Sequence, residues 1–352
     1  MKILRALIVL TLVLGGLLGA FQEPIMNTIM KNVITDRMSA SALDQFEDTL
    51  TVAICGAGSP LPDPERSGSC AAVIAGDQMI LIDAGSVNRV NQMNLPLGSV
   101  DNVFLTHYHS DHIDGLGGVM TMRWAGSGNA NPINVFGPAG LDAVVNGFNQ
   151  AYQHDRVYRE VHHTTAIMPP TGGLAVAHTI EPDAQGKVVF ENDGLKVIMF
   201  PVNHEPVEPA VGYRVEYKGR SIVFSGDTEK SPMVEKFAQG ADVLVHEALN
   251  REMVNIMTDV ANELSNKRIA KITFDITDYH TSPVEAAEIA AAADVPFLLF
   301  SHIVPQLPVK PAQMMFTRGV DDVYSGEYAI AKDGTYVSIH LEDGSISQGD
   351  LL

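Results

Sequence analysis

Residues Leu105–Gly118 read LTHYHSDHIDGLGG, directly behind the apolar residues Val103 and Phe104. His107, His109, Asp111 and His112 spell H-x-H-x-D-H. An extended chain turns alternate side chains to one side, so His107 and His109 share a face. The chain then bends, and Asp111 and His112 open a helix. One loop therefore offers donors to two metal ions a few ångströms apart, which a single ion would not require. It cannot close a metal site alone, so the remaining ligands must come from elsewhere.

Three single residues fit that need, each at the end of an apolar strand. His204 ends VIMFPVNH, Asp227 ends SIVFSGD and His302 ends FLLFSH. His107, His109 and His204 would hold one ion, and Asp111, His112 and His302 the other. Asp227 would bridge both. Imidazole and carboxylate without thiolate suit two zinc ions per chain, with manganese or iron also admissible.

Around these residues, short apolar runs follow one another, bounded by Gly, Asp and Pro. TVAICGAG, CAAVIAG, MILIDAG, NVFLTH and INVFGP read as strands, several buried on both faces. KVIMFPVNH, VGYRVEYKG, RSIVFSGD, ADVLVHEAL and PFLLFSHI form a second series. Helical patterns interleave. In SPVEAAEIAAAAD, Ser282 can cap, Pro283 suits the first turn and Glu285 completes a capping box. Two strand-rich halves with helices and no linker point to a layered α/β domain of two sheets with helices outside.

The chain has 352 residues, 46% of them hydrophobic, enough for a sizeable core. Its formal net charge of −19 repels phosphate backbones, so no nucleic-acid partner is expected. Lys2 and Arg5 precede an apolar or small-residue run from Ala6 to Phe21, short for a ~20-residue membrane span. Residues 1–21 are expected to be a signal peptide or signal anchor, 22–48 a lead-in segment and 49–352 the folded domain that carries these donors. The protein is expected to be exported, whether periplasmic, secreted or tethered to the membrane by that segment alone. Cys55 and Cys70 lie on neighbouring expected strands, and a disulfide or two buried thiols fit equally.

H-x-H-x-D-H followed by isolated His, by Asp in SGDT, and by His resembles the metallo-β-lactamase superfamily. The resemblance runs from about Thr49 to Ile346 and implies a four-layer αββα sandwich with a two-metal site at one edge of the sheets. HEA at His246–Ala248 and HTS at His280–Ser282 narrow it to the ribonuclease Z-like branch. GSPLPDPERSGSC, VFGPAG and YRVEYKGRSIVFSGDT look most like its arylsulfatase-type members. The resemblance assigns His280 as general acid, oriented by Glu247. A carboxylate beside an imidazole favours the protonated ring until the leaving oxygen needs the proton. By the same resemblance Asp83 hydrogen-bonds a ligand histidine and fixes its tautomer. Transfer-RNA-processing members carry a long arm between GYR and SGDT, where this chain has only Val215 to about Ile222.

The expected function is an exported dinuclear zinc hydrolase of sulfate or phosphate esters, acting through a metal-activated water on a small anionic ester. Asp111, Asp227, His280 and Glu247 would carry the chemistry. Lactone or carboxylic-ester hydrolysis is the second enzyme reading, and a non-catalytic zinc-binding module a third. A ribonuclease Z-type endonuclease is disfavoured by the missing arm, the acidic charge and the export signal. Arg123 and Trp124 could sit on the pocket lip. Arg156, Arg159, His162 and His163 form a basic patch that an anionic ester or a solvated helix face explains. A homo-oligomer is left open.

Overall fold

The computed structural model describes residues 22–36 and 42–352. Residues 22–36 form a helix within a first unit ending at Ala42, and Leu43–Leu352 make a second compact unit. Among the described residues no helix is long and apolar enough to cross a membrane. The signal or anchor segment expected at residues 1–21 lies outside the described residues.

In chain order the strands are β1 (Thr49–Gly56), β2 (Cys70–Ala75), β3 (Gln78–Ile82), β4 (Val100–Phe104), β5 (Ile133–Gly137), β6 (Ala175–Thr179), β7 (Lys187–Asn192) and β8 (Leu195–Val202). They continue as β9 (Ala210–Tyr217), β10 (Arg220–Phe224), β11 (Val243–Leu249), β12 (Phe297–Val304), β13 (Glu327–Ile330), β14 (Thr335–His340) and β15 (Ile346–Asp350). One sheet of eight runs β15-β14-β1-β2-β3-β4-β5-β6, and one of seven runs β13-β12-β11-β10-β9-β8-β7.

Alternation explains the layers. Leu50, Val52 and Ile54 of β1 face inward and meet Val211, Tyr213 and Val215 of β9 in one inter-sheet core. On the second sheet, Val223, Leu244, Leu298 and Phe300 point the other way and pack under helices Pro232–Ala238 and Pro283–Ala292. Strands β11 and β12 are buried along their whole length, as their unbroken apolar runs require. Each fully buried Leu, Val or Phe here stabilises the fold by roughly 1.5–3 kcal/mol. On the first sheet, helix Leu141–Ala151 packs its Leu141 and Val145 side over β5 and β6. The four-layer αββα sandwich is thus present. The expected capping box also forms, with Ser282 accepting from the Glu285 N–H and Glu285 accepting from the Ser282 N–H.

Parallel pairing positions the site. β3, β4 and β5 run parallel in the first sheet, and β10, β11 and β12 in the second. Parallel neighbours put their carboxyl ends on one edge, where loops can converge. The segments after β3, β4, β8 and β10 carry Asp83, His107–His112, His204 and Asp227. His302 lies within β12, close to where the pairing of β12 with β11 shifts register, and its φ is +45°. It therefore sits inside the strand and not at its end.

Candidate metal centre

All seven expected ligands come together. Donor atoms of His107, His109, His204 and Asp227 lie within 4.8 Å of one another, as do those of Asp111, His112 and His302. Asp227 joins the two groups. Its Oδ2 is 3.8 Å from His107 Nε2 and 3.9 Å from His204 Nε2 on one side. On the other it is 3.3 Å from both His112 Nε2 and His302 Nε2. All but His109 are buried.

The far nitrogen of three rings is held by the protein. His107 Nδ1 lies 3.1 Å from Thr106 Oγ1, His112 Nδ1 is 2.8 Å from Asp83 Oδ2, and His204 Nδ1 is 3.0 Å from the Tyr279 carbonyl. Such partners fix the tautomer and leave Nε2 free to ligate. His112 Nε2, His204 Nε2 and Asp111 Oδ1 are buried without a hydrogen-bond partner. Buried polar atoms without partners are costly, and these converge on shared space. Nitrogen and carboxylate donors so arranged fit divalent cations.

Backbone geometry supports the cluster. Asp83 adopts φ +59°, a left-handed conformation that costs a non-glycine residue energy unless its surroundings impose it. Its carboxylate accepts from the Thr106 N–H at 2.8 Å and the Thr106 hydroxyl at 2.9 Å, besides holding His112. At Gly85 a Cβ would stand 1.7 Å from the Asp111 carbonyl oxygen, so only glycine lets the ligand loop approach.

Electrostatics follow from burial and from the central carboxylates. Burial, reinforced by His112, pushes His107 well below its usual range. Burial also opposes charge on His302, but Asp227 and Asp111 outweigh it and lift its pKa to about 9. Burial would raise Asp227, yet His302 and His112 hold it well below the usual carboxylate range.

Beside this cluster, His280 Nδ1 lies 3.0 Å from Glu247 Oε1. The same oxygen accepts from the backbone N–H groups of Thr281 at 2.9 Å and Thr228 at 3.2 Å. Arg251 ties this corner down, donating to the carbonyls of His280 at 2.8 Å and Thr277 at 3.1 Å and pairing with Glu285 at 2.6 Å. Thr106, Thr228, Thr281, Tyr279 and Arg251 were not singled out from sequence. Only adjacency to a ligand or to the HEA and HTS motifs could have flagged them.

Other expectations are corrected. Arg123 and Trp124 are buried and line no lip. Arg123 donates to the carbonyls of Val100 and Asn131, and the Trp124 indole donates to Pro169. Their helix turns this face into the protein. Arg156 bonds the Asn149 carbonyl, Arg159 pairs with Asp155 one turn away, and their helix buries no residue. The solvated-face explanation accounts for that patch. Cys55 and Cys70 form a disulfide between β1 and β2.

Residues 78–303 match the family described as the Beta-lactamase superfamily domain. A Ribonuclease Z from Mycobacterium bovis (strain BCG / Pasteur 1173P2) is 33% identical over 296 residues, covering 83% of this chain and 99% of the relative. A Ribonuclease Z from Mycobacterium avium (strain 104) is 34% identical over 262 residues, covering 73% and 87%. The short form of human tRNase Z superposes with a TM-score of 0.56 at 22% identity, over 82% of this chain and 99% of that one. The metallo-beta-lactamase fold protein YhfI from Bacillus subtilis superposes equally, with a TM-score of 0.56 at 19% identity, over 86% and 100%. These likenesses confirm the fold. Fold, donor set and relatives together define a metal-dependent hydrolase. The chain belongs to the metallo-β-lactamase superfamily, in its ribonuclease Z-like branch.

The relatives overturn the expectation of an arylsulfatase-like hydrolase of small anionic esters, and with it the expectation of no nucleic-acid partner. The reason is physical. Net charge sums over the whole surface, whereas cleavage depends on the field at one buried cluster. The short β9–β10 hairpin, turning at Lys218–Gly219, is present as read, but it lies outside the donor set and leaves the chemistry untouched.

Proposed function

We propose that this protein is a dinuclear metal-dependent phosphodiesterase that cleaves RNA, with precursor transfer RNA as its substrate. The observation that carries the reading is Asp227 Oδ2, standing within 4 Å of ring nitrogens from both ligand groups. The Ribonuclease Z relatives supply the substrate class.

His107, His109 and His204 would hold one ion, Asp111, His112 and His302 the other, with Asp227 between them and zinc the best match to the donors. When bound, such ions supply Lewis acidity toward a phosphoryl oxygen and toward water. The chain's own groups do the rest. Thr106, Asp83 and the Tyr279 carbonyl lock the ligand rings. His280 turns Nδ1 to Glu247, which leaves Nε2 to donate a proton to the departing oxygen. Glu247 is pinned by two backbone N–H groups, so it orients the ring. Burial of all but one donor limits access of bulk water.

The test is incubation of the purified, zinc-loaded chain with a precursor transfer RNA, followed by mapping of the product ends. Endonucleolytic cleavage that a chelator abolishes is expected. A protein carrying two ions that leaves the precursor intact would sink this reading.

A further inference from the structure

Next to the donor cluster lies a cavity of about 230 Å³ that shares His109, Asp111, Asp227 and His302 with it and is also lined by His280. Its outer wall is different in kind, being built from Pro60, Leu61, Ile272, Ile276, Tyr279 and Val304. No lysine or arginine lines it. Sites that enclose a whole small ligand run to about 300–1,000 Å³, so this space suits one ring-sized group.

The wall is a fixed structure. Leu61 and Ile276 pack on a small core of Leu249, Val254 and Val304. The helical hairpin Arg251–Glu263 and Lys267–Asp275, inserted between Glu247 and His280, contributes Ile272 and, as the cap of its second helix, Ile276. A hydroxyl–hydroxyl bond of 2.7 Å from Thr258 to Thr273 joins its two helices. Ile272 keeps 49% of its surface exposed at the rim. Folding therefore leaves an isoleucine in water where the cavity opens.

Charge sorts what can enter. The adjoining groove is bounded by Glu205, Glu229, Asp275 and Asp278, with Ile272, Ile276 and Tyr279 shared between the two spaces. The acidic groove repels phosphate, and neither lining offers it a lysine or arginine, so only ions held by the metal donors would attract it. The apolar wall wants a neutral, flat group that an aromatic side chain can stack on.

Resting on the RNA-cleaving reading, we propose that this cavity is a base-binding subsite. It would seat the nucleobase of a nucleotide flanking the scissile phosphate, on Tyr279 and against Leu61, Ile272 and Ile276. Tyr279 is suited to this because its own carbonyl holds His204, which couples base seating to the ligand cluster.

The experiment measures equilibrium binding of three probes to the zinc-loaded full chain: adenosine 3′-monophosphate, adenosine 5′-monophosphate and ribose 5-phosphate. At least one nucleotide should bind roughly tenfold more tightly than ribose phosphate, the scale of one base stack. Ile272→Ser, at a half-exposed position, and Tyr279→Ala should each shrink that ratio severalfold. Equal binding of all three probes overturns the subsite, as does a ratio that neither variant changes. Precursor cleavage is scored separately. RNA cleaved with a ratio of one rejects the subsite alone. A high ratio lost in the variants, without RNA cleavage, supports the subsite and rejects the RNA reading.

Discussion

His280 and Glu247 meet through Nδ1 and Oε1 at 3.0 Å although 33 residues separate them in the chain. Thr281 and Thr228 donate their N–H groups to the same oxygen, so the pair is held on both sides. Donor atoms of His280, Asp227 and His302 also lie within 4.8 Å of one another, which offers His280 a second role as a metal ligand. The two roles predict different results. As general acid, His280→Ala lowers kcat on a poor leaving group by roughly a hundred- to ten-thousand-fold. An activated nitrophenyl ester suffers less, and two ions stay bound. Glu247→Gln falls in the same direction by a smaller factor. Metal content measured beside kcat decides, since loss of an ion from His280→Ala would make it a ligand.

Asp227 predicts a metal-stoichiometry pattern. Its Oδ2 stands 3.3 Å from His112 Nε2 and 3.8 Å from His107 Nε2, so it serves both donor groups. Asp227→Ala should weaken both ions, whereas His109→Ala should weaken chiefly one. Elemental analysis after dialysis against a weak chelator gives the answer. Asp227→Ala retaining two ions as firmly as the unaltered protein would remove it from the centre.

Much of this centre was legible because ligation restricts residue type. Few reasons other than metal explain His107, His109, Asp111 and His112 in one turn, and strand ends are where parallel sheets gather side chains. Asp83 was readable only through family resemblance, since an Asp before Ala-Gly otherwise reads as a turn. Arg123 and Trp124 misled because sequence adjacency to the motif does not say which way a helix face turns. The cavity wall was invisible for another reason. Leu61 is one apolar residue in a loop and Ile272 one in a helix, and no periodicity says that they meet. The substrate class failed at the step from net charge to local field.

Gly85 predicts how tightly the ligand loop is built. A Cβ there would overlap the Asp111 carbonyl oxygen at 1.7 Å, and Ala84 on its flank accepts from the Gly115 N–H at 2.7 Å. Backbone meets backbone, so no side chain can swing aside. Gly85→Ala should push Asp111 and His112 off the centre, lower affinity for the ion they hold by roughly ten- to a hundredfold, and reduce the melting temperature. Calorimetric titration with zinc, alongside thermal unfolding, tests both. Gly68, whose Cβ would stop 2.8 Å from the same oxygen, should tolerate alanine better.

The Cys55–Cys70 bridge predicts a redox-dependent stability. It ties β1 to β2 across a sequence separation of 15, and the enclosed loop carries Pro60 and Leu61 of the cavity wall. Constraining the unfolded chain over such a loop stabilises by about 3 kcal/mol. For a domain of this size that corresponds to a fall in melting temperature of roughly 4–5 °C on reduction. The Cys55→Ala, Cys70→Ala double variant should melt near the reduced protein and be indifferent to reductant. Thermal unfolding with and without dithiothreitol, on both proteins, provides the comparison. The free-thiol content of each sample is counted in parallel. Full reduction that leaves the melting temperature unmoved would mean that the surrounding buried strands, and not the bridge, hold this loop in place.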